Sequence, residues 1–372
     1  MVLFLPCRGV SPISVTLRST CFWLSFICAV FLVGCTTVAQ NKNRVMIKYA
    51  PIGSDAPRSI YADNRALLRG YVKPDGVPLD LYRDVPEIAT LAGYAYRGSA
   101  PVRDCAAAAP MTFTAVPDLR VHIPDQWIRP NAGLNNEAVS LPLYAQLALG
   151  ISAPQTLSAE ERMELSSGLT YDVWQRETGP DSRDYAIVFR GTNLRSKGDW
   201  CANLRPIGFC DDQNDQFDQV AALIEPLVET LIRRATAEGR RARIITVGHS
   251  LGGALAQQAA YRSPHINLAF AFNATPLLGY LDSDILSGDG EGRKGLTIFQ
   301  IFEAGEILAP VRAMANSLRP LSARDPQIII LRYSLHSGLY PFVGVIRNHN
   351  MVELACGLRA VEQDVLNAPM QP

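Results

Sequence analysis

Gly248-His249-Ser250-Leu251-Gly252 sets a serine between two glycines, where an apolar β-branched run gives way to a helix-forming one. Ile244-Ile245-Thr246-Val247 reads as a buried strand, and Ala254-Leu255-Ala256-Gln257-Gln258-Ala259-Ala260 as a helix. A serine held in that sharp strand-to-helix turn projects its hydroxyl from the carboxyl edge of a sheet. The strained backbone brings neighbouring residues close together, so the flanking positions must be small. This is the local geometry of a nucleophile elbow, and its chemistry is acyl transfer or ester hydrolysis.

Serine is a weak nucleophile at neutral pH and needs an adjacent base, usually a histidine oriented by a carboxylate. In α/β-hydrolases the partners follow in the order serine, acid, histidine. Of the five histidines, His122 precedes the serine and His265 follows the elbow helix too closely to reach back. His249 adjoins Ser250, and the turn directs its side chain away from the nucleophile. His349 remains, in Arg347-Asn348-His349-Asn350 just before a C-terminal helical pattern, with His336 as the alternative. The acid is expected after the strand Leu296 to Phe302, where Glu306 is preferred and Glu303 is the second candidate. The Leu251 amide supplies one oxyanion donor, and the loop Arg190-Gly191-Thr192 is placed to supply another.

These residues require a scaffold. Leu141 to Leu149 reads as a helix, Leu169 to Arg176 as a strand, and Gly179-Pro180-Asp181-Ser182 as a turn. Tyr185 to Arg190 is a continuous apolar strand. Asp215 to Ala237 repeats apolar residues at helical spacing. Ala242 to Val247, Ile266 to Phe272, Leu296 to Phe302 and Gln327 to Leu331 are further buried strands. Strands alternating with helices predict a mostly parallel central sheet covered on both faces, an α/β-hydrolase fold.

Ile187-Val188-Phe189-Arg190-Gly191-Thr192, then Asp199-Trp200 with Asn203-Leu204, then Gly248-His249-Ser250-Leu251-Gly252-Gly253 resembles the class 3 lipase family, the fungal triacylglycerol lipase type. Phe272-Asn273-Ala274-Thr275-Pro276-Leu277-Leu278-Gly279 is similar to that family's segment after the next strand. The likeness spans roughly residues 138 to 360. It implies Thr192 as an oxyanion residue and a lid over Asn193 to Phe209. The family acid is usually an aspartate in an Asp-x-Val-Pro setting, whereas this chain has Glu306-Ile307-Leu308-Ala309-Pro310. The lid stretch carries several charges, which argues against strong interfacial activation.

The chain divides into four expected parts. Residues 1–34 read as a signal peptide: Arg8 and Arg18 precede an uncharged run from Cys21 to Val33, too short to span a bilayer comfortably. Leu32-Val33-Gly34-Cys35-Thr36 resembles the lipobox of bacterial lipoproteins, which implies lipidation at Cys35 and an anchor in the cell envelope, with the outer membrane favoured. Residues 35–50 read as a polar tether, 51–137 as a segment of unassigned role packed on the core, and 138–372 as the hydrolase domain. Beyond the lipobox, Cys105, Cys201, Cys210 and Cys356 allow three pairings in an oxidising compartment, and Cys201 with Cys210 closes the shortest loop. Thirty-five basic residues balance 35 acidic ones, so nothing points to nucleic acid. No metal-ligand spacing stands out, and the chemistry calls for no cofactor. The expected function is therefore a serine hydrolase of carboxylic esters, most simply lipid acyl esters (lipase, phospholipase A1 or esterase). The competing readings are a noncatalytic binding or scaffold lipoprotein on the same fold and an acyltransferase using the same three residues.

Overall fold

The computed structural model describes residues 44–50, 56–69, 79–96, 102–105, 120–130, 169–191, 216–276, 295–318, 326–335 and 348–367. Its framework is one eight-stranded sheet built from β1 (Arg44–Tyr49), β2 (Arg58–Asp63), β5 (Tyr171–Gly179), β6 (Ser182–Phe189), β7 (Arg241–His249), β8 (Ile266–Phe272), β9 (Thr297–Glu303) and β10 (Gln327–Tyr333). The strands lie in the order β2-β1-β10-β9-β8-β7-β6-β5. The five central strands, β6 to β10, are parallel, while β5 and the β1–β2 pair run antiparallel at the two edges. Two short strands, β3 (Val102–Asp104) and β4 (Arg120–His122), form a separate antiparallel ribbon.

Both faces of the sheet are covered, which is why its central strands are apolar throughout instead of alternating. Side chains alternate across a strand, so β6 sends Ala186 and Val188 to one face and Tyr185, Ile187 and Phe189 to the other. The first face packs α2 (Leu79–Tyr94) and α6 (Met351–Asn367), which carry Val85, Ile88, Leu354 and Leu358 into the core. The second packs α3 (Gln216–Ala237) and α4 (Leu251–Arg262), with Val220, Ile224, Leu231 and Leu255. Two further helices, α1 (Asn64–Leu68) and α5 (Ala309–Leu318), complete the elements used below. A nucleophile strand, then two strands to the acid, then one more to the histidine is the chain order of the α/β-hydrolase fold.

The strands and helices expected from residue 169 onward form within three residues of their predicted ends, and Pro180-Asp181 makes the β5–β6 turn. The helix expected over 141–149 and the lid over 193–209 lie outside the described residues, as do residues 1–43 with Cys35.

One boundary needs correction. Residues 44–50, read as the end of a tether, form β1 and its exit, paired with β10 on one side and β2 on the other. Val45 and Ile47 are fully buried and Tyr49 nearly so, an alternation too short and too mixed with lysine and arginine to stand out. The following segment is likewise built into the core rather than added to it. Its helix α2 lies against α6, and Cys105 is bonded to Cys356 of α6, with Cα atoms 5.7 Å apart. That bridge is compatible with a Cys201–Cys210 pair, whose members lie outside the described residues.

Candidate active site

Ser250 stands between the end of β7 and the start of α4, with φ 55° and ψ −125°. A non-glycine residue there carries about 1–3 kcal/mol of backbone strain, held by its surroundings. Its amide donates to the Phe272 carbonyl of β8 (3.0 Å), and its own carbonyl accepts from Thr275 (3.1 Å). The flanking glycines are dictated by contact. A Cβ on Gly248 would collide with the Gly252 carbonyl, and one on Gly252 would collide with the Phe189 carbonyl of β6. The spacing legible in the sequence is thus the spacing at which strand and helix backbones touch.

Three sequence-selected side chains meet at this edge. His349 Nε2 lies 3.0 Å from Ser250 Oγ, and its Nδ1 lies 2.6 Å from Glu306 Oε2. A carboxylate only accepts, so Nδ1 carries the proton and Nε2 presents its lone pair to the serine hydroxyl. Glu306 is buried and follows β9 by three residues. Glu303 is buried too, but its Oε1 accepts from the Leu335 amide (2.7 Å), which leaves Glu306 as the carboxylate that meets the histidine. His336 lies outside the described residues. Leu251 is the first residue of α4, where amides have no acceptor within the helix and the helix dipole favours negative charge. Gly191 lies beside the elbow, and a Cβ there would come within 3.2 Å of Ser250 Cβ. Thr192, the next residue, lies outside the described residues.

Sequence reasoning passed over the groups that hold these three. Glu306 has both oxygens engaged: Oε2 also accepts from the Leu308 amide (3.0 Å), and Oε1 accepts from Arg312 of α5. Arg312 is itself buried, donates to the Ala274 carbonyl (2.8 Å), and lies over the Phe302 ring at 4.5 Å. The loop carrying His349 is tied to two strand ends through its neighbour. Asn273 Nδ2, just past β8, donates to the Asn348 carbonyl, and Asn348 Nδ2 donates to the Ala304 carbonyl past β9, each at 3.0 Å. Asn348 beside His349 and Asn273 directly after a strand were visible signals, while Arg312 had none.

Electrostatics favour a neutral imidazole. Burial, and then the Arg312 charge, pull the His349 pKa from 6.5 to about 4. Burial brings Arg312 itself down to about 9, so it remains charged at neutral pH and offsets the carboxylate beside the histidine. Burial also holds His249 well below its ordinary value. A base works only when unprotonated, so activity is expected to persist as pH falls below 6.5 and to fail near pH 4. The acidic limb of a kcat/KM profile on a neutral ester checks this, and a limb near 6.5 would contradict it. Stability runs the same way. Below about pH 6.5 the unfolded chain takes up protons that the folded histidines refuse, so stability declines as pH falls.

A family model described as phospholipase-like, a Tle-like phospholipase domain, matches residues 148–293. The matched span contains β5 to β8 and Ser250 and ends before Glu306 and His349. No curated protein matches the chain. Two structures of an esterase from Pyrobaculum calidifontis, one of them its monoclinic form, align at 11% and 10% identity. Each covers 60% of this chain, with 99% and 98% of the esterase included, at TM-scores of 0.29 and 0.27. So loose an overlay carries no argument about activity. The phospholipase-like match supports an ester-hydrolysing, lipid-related role.

Proposed function

We propose that this chain is a serine hydrolase that cleaves carboxylic esters of lipids through an acyl-enzyme. One observation carries the reading: Ser250 Oγ, the His349 imidazole and the Glu306 carboxylate form a continuous hydrogen-bonded line at a strained elbow. Ser250 Oγ attacks the acyl carbon while its proton passes to His349 Nε2. The carbonyl oxygen becomes an oxyanion that the Leu251 amide stabilises, with Thr192 as the second donor that the family resemblance implies. The ester C–O bond breaks, and His349 returns the proton to the departing alcohol. Water then attacks the acyl-enzyme and gives its proton to His349. The bond between Ser250 Oγ and the acyl carbon breaks, His349 returns that proton to Oγ, and the carboxylic acid leaves. Glu306 fixes the tautomer and stabilises the imidazolium.

The phospholipase-like match favours lipid acyl esters; phospholipase A1 chemistry is our nearest form, on the class 3 lipase type of scaffold that the sequence motifs resemble. A lipid anchor at Cys35 in the bacterial outer membrane would keep such an enzyme permanently beside phospholipid.

The test is labelling by a fluorophosphonate probe, comparing the full chain with Ser250→Ala, followed by a p-nitrophenyl ester chain-length series with and without detergent. Labelling lost only in the variant supports an activated Ser250, and a long-chain optimum supports lipid esters. An unlabelled, well-folded wild type would indicate a noncatalytic lipase-fold protein. Product diverted to an added acceptor alcohol in preference to water would indicate an acyltransferase.

A further inference from the structure

His249 sits next to the nucleophile in sequence, yet its ring does not point idly away. Its Nε2 lies 2.7 Å from the backbone carbonyl of His349, and its ring centroid is 4.9 Å from the His349 ring. A carbonyl only accepts, so Nε2 carries the proton and Nδ1 is an acceptor. The hydroxyl of Tyr96 donates to it: the oxygen lies 2.7 Å from Nδ1, and the tyrosine ring meets the imidazole edge-on at 5.4 Å. Tyr96 follows α2 by two residues, in the part of the chain that lies outside the family likeness. Gly191 makes room for it. A Cβ at that position would collide with both the Tyr96 hydroxyl and the His249 carbonyl.

We propose that His249 and Tyr96 are positioning residues for the catalytic base, with Tyr96 orienting His249 and His249 holding the His349 backbone. This rests on the hydrolase reading above. The proton placement leaves no alternative tautomer, because an Nδ1–H form of His249 would turn a bare lone pair toward the His349 carbonyl. Asn273 grips the neighbouring Asn348 carbonyl (3.0 Å), so two successive carbonyls of the base's loop are held by side chains from the ends of β7 and β8. Loss of one grip lets the imidazole drift. A displacement of about 1 Å costs on the order of 10²-fold in rate. The inference also gives the N-terminal segment a part in catalysis, since α2 brings Tyr96 to the elbow.

Four variants in the full chain test this: His249→Ala, His249→Gln, His249→Asn and Tyr96→Phe. A glutamine amide nitrogen reaches close to where Nε2 stood and still donates to the His349 carbonyl, whereas an asparagine amide reaches only the Nδ1 position. Expected kcat per site titrated with fluorophosphonate falls about 10²-fold in His249→Ala and His249→Asn and about tenfold in Tyr96→Phe, with KM unchanged. His249→Gln recovers most of the rate. A purely structural role would instead lower the fraction of titratable protein and leave kcat per site alone, with no difference between Gln and Asn. That pattern overturns the proposal even if His249→Ala does not fold, because Tyr96→Phe and His249→Gln retain the bulk of the site. A wild type that does not label overturns the hydrolase reading and this one with it. A wild type that labels, beside variants of unchanged kcat, overturns this one alone.

Discussion

Ser250→Ala and His349→Ala are each expected to lower kcat on a p-nitrophenyl ester by about 10⁴- to 10⁶-fold, and the double variant by no more than the worse single one. The non-additivity is the informative part. Ser250 Oγ and His349 Nε2 share one hydrogen bond of 3.0 Å, and each is useless without the other. An alanine at 250 leaves the base nothing to deprotonate, and an alanine at 349 leaves the serine a neutral alcohol at a pH far below its own pKa. Remaining catalysis then comes from the oxyanion donors and from binding alone. Both variants should keep their fold, since Ser250 and His349 are partly exposed at the sheet edge and contribute little core. Circular dichroism and thermal melts on the same preparations check that. A double variant whose loss is the product of the single losses would mean that the two residues act independently, and the proposed mechanism would fail.

The parts of this site that were legible in the sequence are those fixed by local backbone geometry or chain order. Gly248 and Gly252 announce an elbow because no side chain fits between the touching strand and helix backbones. The order of serine, acid and histidine follows from successive parallel strands, so Glu306 and His349 could be sought after β9 and β10. Tertiary contacts were not legible. Arg312 is an arginine on a short helix until folding buries it against Glu306. His249 was set aside on the turn's geometry, yet that same turn aims it at the His349 loop. Tyr96 lies 153 residues from its partner, at the end of a stretch, Pro86 to Tyr96, that reads as a helix but shows no sign of chemistry. β1 was missed for a related reason: six residues with lysine and arginine among them become a strand only because β10 and β2 flank them.

Glu306→Gln separates orientation from charge and is expected to cost about 10⁴-fold in kcat together with a clear loss of stability. Glutamine keeps the shape but replaces one acceptor oxygen with a donor. The carboxylate is engaged on both sides, by His349 Nδ1 and the Leu308 amide on Oε2 and by Arg312 on Oε1. The amide must therefore turn its NH₂ toward one of them. Facing His349, it accepts nothing from Nδ1, so the imidazole shifts its proton to Nε2 and can no longer deprotonate Ser250. Facing Arg312, it sets a donor against a donor; in both orientations the buried guanidinium loses its anion, which costs about 3–5 kcal/mol when a buried pair is broken. Either orientation removes the charge that stabilises the imidazolium formed as Ser250 attacks. The two consequences come apart in a second variant. Adding Arg312→Met to Glu306→Gln removes the stranded charge and is expected to restore much of the melting temperature, while kcat stays low because the imidazolium still lacks its counter-ion. Rate recovering along with stability would show that Glu306 serves the fold rather than the reaction, and would remove the acid from the proposed triad.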